Sequence, residues 1–381
     1  MAEKKTKSNI VKLKTKKTDT GLGVDFTLLF AVLILLVVGL TMLFSVSSAA
    51  NMSSGRVYDP IIKQAGLTAL GLVMMVSLSR MDYRKIKKYS GLMYVISTIV
   101  MVLVRFIGVD SHGARRQIDI GIGSIQPSEF SKYVMIIWLA TRFATIRKDE
   151  IKTWKEMAIE LVAIGIPVVE CLLLQRHASA AIVHMFVGVV MLIAAGTDIK
   201  KLFPVGVGAG GAMLMVILGT GFRMDRITSF FNHGSDMQGI DWQSTQSIYA
   251  VGSGGLFGLG LGNSRQKYSY LPEAENDYIF AIVGEELGFI GSVMIVVLFC
   301  IVIWRGISIA LNSKDTFGTF LAFGITVLIG FQVLVNMCVV LQMVPSTGMQ
   351  LPLFSSGGSS MVVTLSGFGM LLSISRQNMK R

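Results

Sequence analysis

Charged side chains are scarce in this sequence, 15% of 381 residues against 52% hydrophobic, and that balance excludes a soluble enzyme of this length. Cysteine is scarce too. Cys171, Cys300 and Cys338 lie far apart within apolar runs, which argues for packing roles and against a disulfide framework. The four histidines, His112, His177, His184 and His233, show no HExxH-type spacing, so no protein-held zinc is expected.

What is abundant is apolar sequence in runs long enough to cross roughly 30 Å of hydrocarbon. Ten such runs are expected, over 24–48, 61–80, 91–108, 127–145, 156–174, 178–196, 202–219, 277–304, 317–340 and 357–375. Most of the 35 lysines and arginines fall in the tail, 80–90, 142–155, 200–201, 305–314 and 376–381, all on one side of the membrane. Cytoplasmic loops retain positive charge, so both termini are expected in the cytoplasm. The opposite loops carry Arg56, Arg115, Arg116, Arg176, Arg223, Arg226, Arg265 and Lys267. The net charge of +12 is mostly this asymmetry, which leaves nothing for a nucleic-acid partner to explain.

The expected fold is an all-α integral membrane protein, one bundle of about ten transmembrane helices over 24–381. A disordered basic tail, 1–23, precedes it and contacts anionic membrane lipids. The first apolar run is too long for the core of a cleaved signal peptide. One connection is long: residues 220–276, expected on the external face between the seventh and eighth helices, where such loops carry function. Its segment "GSGGLFGLGLGN" is apolar but too interrupted to span, and reads as turns and interfacial helices against the outer leaflet. Without a GK[ST] sequence or a preceding strand, these glycines point to close backbone packing rather than nucleotide binding.

Four polar clusters exceed what solubility requires. In "GARRQIDIGIGSIQPSEFSK", Arg115 and Arg116 are adjacent cations, Gln126 precedes a proline suited to a helix start, and Glu129 and Lys132 share a helix face. That last pair is either an ion pair that lets two charges enter the bundle or a substrate contact. The turn "QRH", Gln175 to His177, reads as solvated, yet Arg176 adds a cation that suits phosphate or pyrophosphate. In "LPLFSSGGSS", Ser359 and Ser360 open the last helix, where they either cap it or meet a polar ligand. In "YLPEAENDYIFAIVGEELG", Glu273 and Glu275 belong to the external approach, Glu285 and Glu286 to a buried polar network or, second, a proton-handling role, and Asp277 to the boundary. Spacing alone leaves helix capping and catalysis both open for Asp277.

Taken together, "LPEAENDYIFAIVGEELGFIG", "GARRQI", "IQPSEFSK", "QSIYAVGSGGLFGLGLGNSRQKYSYLP" and "LPLFSSGGSS" resemble the SEDS proteins (shape, elongation, division and sporulation), the group of FtsW, RodA and SpoVE. The likeness covers nearly all the chain after the tail and lies nearer FtsW and SpoVE than RodA. It implies a multi-pass protein of the bacterial cytoplasmic membrane that polymerises lipid II into peptidoglycan glycan strands on the external face. A class B penicillin-binding protein and other division or sporulation proteins are the implied partners. The acid of the family's "HTDFIFA" motif matches Asp277, which implies the catalytic role, and Glu129 and Lys132 of the "QPSE..K" motif are implied to line the central cavity. No cofactor is firmly implied; a divalent cation, magnesium or manganese, is left open beside Arg115, Arg116 and Arg176 as the group that offsets diphosphate charge.

Four departures stand out. The family's "GARRW" reads "GARRQ", with Gln117; "QPDLGTA" reads "QRHASAA"; "HTD" reads "END"; and "SYGGSS" reads "SSGGSS". Two rival readings remain: a lipid-precursor flippase or transporter, and a weakly active scaffold for a penicillin-binding protein.

Overall fold

The computed structural model describes residues 23–50, 58–111, 114–119, 124–146, 153–220, 230, 240–268 and 270–379. The expected tail, His112, His233, Arg56, Arg223, Arg226 and much of 220–239 lie outside the described residues. In chain order the elements are α1 (Phe26–Ala50), α2 (Asp59–Arg80), α3 (Arg84–Ile107), β1 (Val109–Ser111), β2 (Ala114–Asp119), β3 (Ser124–Ile125), α4 (Pro127–Phe143), α5 (Trp154–Val169), α6 (Ala178–Ala195), α7 (Ile199–Thr220), α8 (Ile240–Ser253), α9 (Ile279–Leu311), α10 (Thr316–Val340) and α11 (Gly358–Met379).

A helix lies on each of the ten apolar runs, and α8 falls within the long loop. Among the described residues, α1, α2, α3, α5 with the turn after it, α6, α9, α10 and α11 are long and apolar enough to cross a bilayer. The other two are α7 and α4, the latter 17 residues long and mostly buried between α3, α6, α10 and α11. The all-α expectation omitted one feature: β1, β2 and β3 form a small antiparallel sheet between α3 and α4.

Side-chain capping explains where several helices begin. The amide of Leu28 donates to the Asp25 carboxylate at 3.0 Å, and the Arg305 guanidinium donates to the same carboxylate, joining the start of α1 to α9. Asp315 caps α10 through the Gly318 amide and accepts from the Tyr83 hydroxyl. Burial, and then the Asp315 carboxylate, push the Tyr83 hydroxyl up to about 12, so it stays a donor at physiological pH.

α9 is not continuous. Gly288 sits at φ 68° and ψ −169°, outside helical space, and breaks the ladder nine residues in. The glycine-rich segment takes over the stranded groups: Phe289 N–H donates to Gly255 O at 2.9 Å and Ile290 N–H to Leu256 O at 3.1 Å. In return, Glu285 O accepts from Leu259 N–H at 2.9 Å and Glu286 O from Gly260 N–H at 3.1 Å. A Cβ on Gly258 would collide with the Glu286 carbonyl, and one on Gly288 with the Gly258 amide, so backbone meets backbone here. Close packing is therefore the role of the glycines.

Glu285 and Glu286 form the polar network that was expected, extended by a lysine. Glu285 accepts from the Ser264 hydroxyl and from Arg265 N–H at 2.9 Å. Glu286 accepts from the Ser45 hydroxyl at 2.7 Å and from Lys267 Nζ at 3.0 Å. Lys267 also donates to Ser45 Oγ and Gly262 O, and both ion-pair partners are buried. Lys267, expected only as one of the external-loop cations, thus ties α1, the loop and α9 together.

Candidate active site

Beside this junction lies a polar cavity of about 830 Å³. Its lining includes Arg116, Gln126, Glu129, Lys132, Arg176, Glu273, Asp277 and Ser359. Two expected contacts fall outside it. Arg115 on β2 is exposed away from the cavity, and Ser360 sits one residue past Ser359 without lining it.

Four helices turn their N-terminal ends toward the cavity. Gln126 and Glu129 come from the start of α4, His177 and Ser179 from α6, Asp277 from just ahead of α9, and Gly357, Gly358 and Ser359 from α11. Each such end presents the partial positive charge of its helix dipole, so the arrangement favours an anion even before Arg116 and Arg176 are counted. Pro127 fits the first position of α4, and Gln126 N–H donates to the Ser359 hydroxyl at 3.1 Å, joining α4 to α11.

Glu129 and Lys132 form the ion pair, with Lys132 Nζ 2.7 Å from both carboxylate oxygens. The pair also lines the cavity, so the two readings coincide in one place. The turn after α5 is solvated only at Arg176, and its two neighbours are buried. A π-helical turn, Glu170–Leu174, delivers Gln175 and His177 into burial, at 0% and 6% exposure, with His177 N–H donating to Cys171 O at 2.7 Å. The Gln126 amide lies 3.2 Å from His177 Nδ1 and fixes that ring against α4.

The peptide carrying Asp277 is stitched down from behind. The carbonyls of Glu275, Asn276 and Asp277 accept in turn from Ser356 N–H at 2.8 Å, the Ser355 hydroxyl, and the Asn336 amide at 2.8 Å. Ser47 of α1 donates to the Glu275 carboxylate at 2.9 Å. Tyr278, not Asp277, holds the N-cap position of α9, so Asp277 stands one residue outside the site that capping requires. Four non-glycine residues among those described have left-handed backbones, and two of them, Arg176 (φ 48°) and Glu273 (φ 55°), line the cavity. Such strain persists where surrounding structure enforces it, commonly at functional sites.

A family model described as cell cycle protein, FTSW_RODA_SPOVE, matches residues 26–380. The chain belongs to this family. It is 37% identical to stage V sporulation protein E of Bacillus subtilis, over 96% of this chain and 99% of that one. It is 36% identical to a probable peptidoglycan glycosyltransferase FtsW of Trichlorobacter lovleyi, over 92% and 93%. Its fold is similar to a chain of a solved peptidoglycan synthase complex of polymerization and crosslinking, with a TM-score of 0.77, 25% identity, and coverage of 94% of this chain and 100% of that one. The rod shape determining protein RodA of Thermus thermophilus gives a TM-score of 0.70 at 25% identity, over 95% and 99%.

Within the FtsW, RodA and SpoVE family pattern, this chain's departures gather in one place. Gln117, Arg176, His177, Glu275, Asn276 and Ser356 all line the cavity. His177, Gln243, Gln332 and Gln350 are lining residues that sequence reasoning left out. For Gln332 a signal existed: it is an uncharged polar side chain in an otherwise apolar run. Among the described residues no group of three His, Cys, Asp or Glu side chains gathers around one point.

Proposed function

We propose that this protein is a peptidoglycan glycosyltransferase that polymerises lipid II on the outer face of the bacterial cytoplasmic membrane, during division or sporulation wall synthesis. The supporting observation is one cavity holding Asp277 with Arg116 and Arg176, faced by four helix N-termini. In this reading ten helices cross the bilayer, both termini are cytoplasmic, and the 220–276 loop is external.

The acceptor sugar's 4-hydroxyl attacks C1 of the donor, the C1–oxygen bond to the lipid diphosphate breaks, and the hydroxyl proton passes to Asp277 as general base. Negative charge grows on the leaving diphosphate, where Arg116, Arg176 and the helix ends stabilise it. The Glu129–Lys132 pair and the cavity's amide side chains orient the sugars. A class B penicillin-binding protein is the partner of this reading. Purified protein given labelled lipid II, with and without that partner, should yield glycan polymer; lipid translocation in liposomes without polymer would instead support the flippase. The lining comes from one end of the bundle, which disfavours a path across the membrane.

The clustered departures favour a second, weaker reading, a poorly active scaffold. If it holds, Gln117→Trp together with the family's turn at 176–180 should raise polymerisation from near nothing, read as glycan product per protein. Unchanged high activity in the parent would dismiss it.

A further inference from the structure

The glycine-rich loop carries apolar side chains that are exposed among the described residues. Phe257 is 80% exposed, Leu256 61% and Leu261 58%, and the stretch from Gly252 to Ser264 contains no charged residue. Its depth is fixed along α1. Ser45 stands nineteen residues along that unbroken helix from Phe26, and Asp25 beside Phe26 pairs with the Arg305 guanidinium of α9. At 1.5 Å per residue that count gives roughly 29 Å, about the thickness of the hydrocarbon core. Ser45, Glu286 and Lys267 meet at that level, and the loop's backbone is bonded to residues 285, 286, 289 and 290.

We infer that Gly254–Gly262 is a ledge immersed in the uppermost acyl region of the outer leaflet, with Leu256, Phe257 and Leu261 in contact with lipid tails. Continuity with the helix supports lipid as the occupant: exposed Phe289, Ile290 and Met294 of α9 extend the same apolar surface downward. The loop's exchange of hydrogen bonds with the broken helix satisfies the backbone groups that would be costly at this depth. The ledge sets the height of the cavity, holding Asp277 above the hydrocarbon at the level where a lipid-linked diphosphate lies. The choice of leaflet rests on the topology proposed above; the immersion itself does not depend on catalysis.

The test places a nitroxide at Phe257→Cys, with Cys300 and Cys338 changed to serine, in full-length protein reconstituted into liposomes. Collisions with oxygen should exceed those with an aqueous nickel chelate several-fold, and Leu261→Cys should repeat the pattern. Dominant nickel collisions would put the loop in water and overturn the inference. Low collision rates with both probes would overturn it as well, because the patch would then be covered by protein or by a second copy. Glycan synthesis by the same labelled samples, measured separately, reports on the proposed activity.

Discussion

Asp277→Asn is expected to reduce lipid II polymerisation by roughly 10²- to 10⁴-fold, the usual contribution of a general base, while leaving the melting temperature unchanged. Asparagine matches aspartate in shape but lacks its charge and its basicity. The backbone at this position is held by contacts that the substitution leaves in place: its carbonyl accepts from Asn336 and its amide donates to Glu273 O at 3.2 Å. Substrate affinity should change little, since the anion-binding groups, Arg116, Arg176 and the helix ends, are untouched. Initial rates over a lipid II titration separate the two parameters. Polymerisation at the parent rate would remove Asp277 from the mechanism.

Lys267→Met is expected to cost roughly 3–5 kcal/mol, the largest stability loss proposed here, because it strands the Glu286 carboxylate in a buried site. The lysine also supplies hydrogen bonds to Ser45 Oγ at 2.9 Å and Gly262 O at 2.6 Å, so the glycine loop loses a tie to α1. Combining Lys267→Met with Glu286→Gln should recover much of the loss, since no charge is then left without a partner. Thermal unfolding in detergent compares the three proteins. Equal melting of the single and double variants would mean that the ion pair is not what holds the junction.

Much of this architecture was legible in the sequence. Apolar runs located the helices because a membrane helix must satisfy its own backbone, which makes hydropathy decisive. Interrupting glycines correctly suggested close packing. What spacing could not supply was pairing across distance. Lys267 looks like one more external cation until Ser45, far back in the chain, and Glu286 close around it. His177 and Gln175 look solvated until the π-helical turn rotates them inward. The sheet over Val109–Ile125 escaped notice because its strands are short and its pairing partners are set by tertiary structure. Arg115 and Arg116 are indistinguishable in sequence, yet only the second reaches the cavity.

The break at Gly288 gives α9 the mechanics of two rods and a joint. An unbroken helix would transmit a tilt of its lipid-facing half directly to Asp277. Here the Ile279–Leu287 half is bonded to the glycine loop on one side of the break, and the loop is bonded again to Phe289 and Ile290 on the other. A load placed on the lower half by a neighbouring helix or by bilayer thickness therefore has two routes to Asp277, the chain through Gly288 and the packed loop beside it. The four backbone hydrogen bonds that flank the break, two on each side, carry the second route.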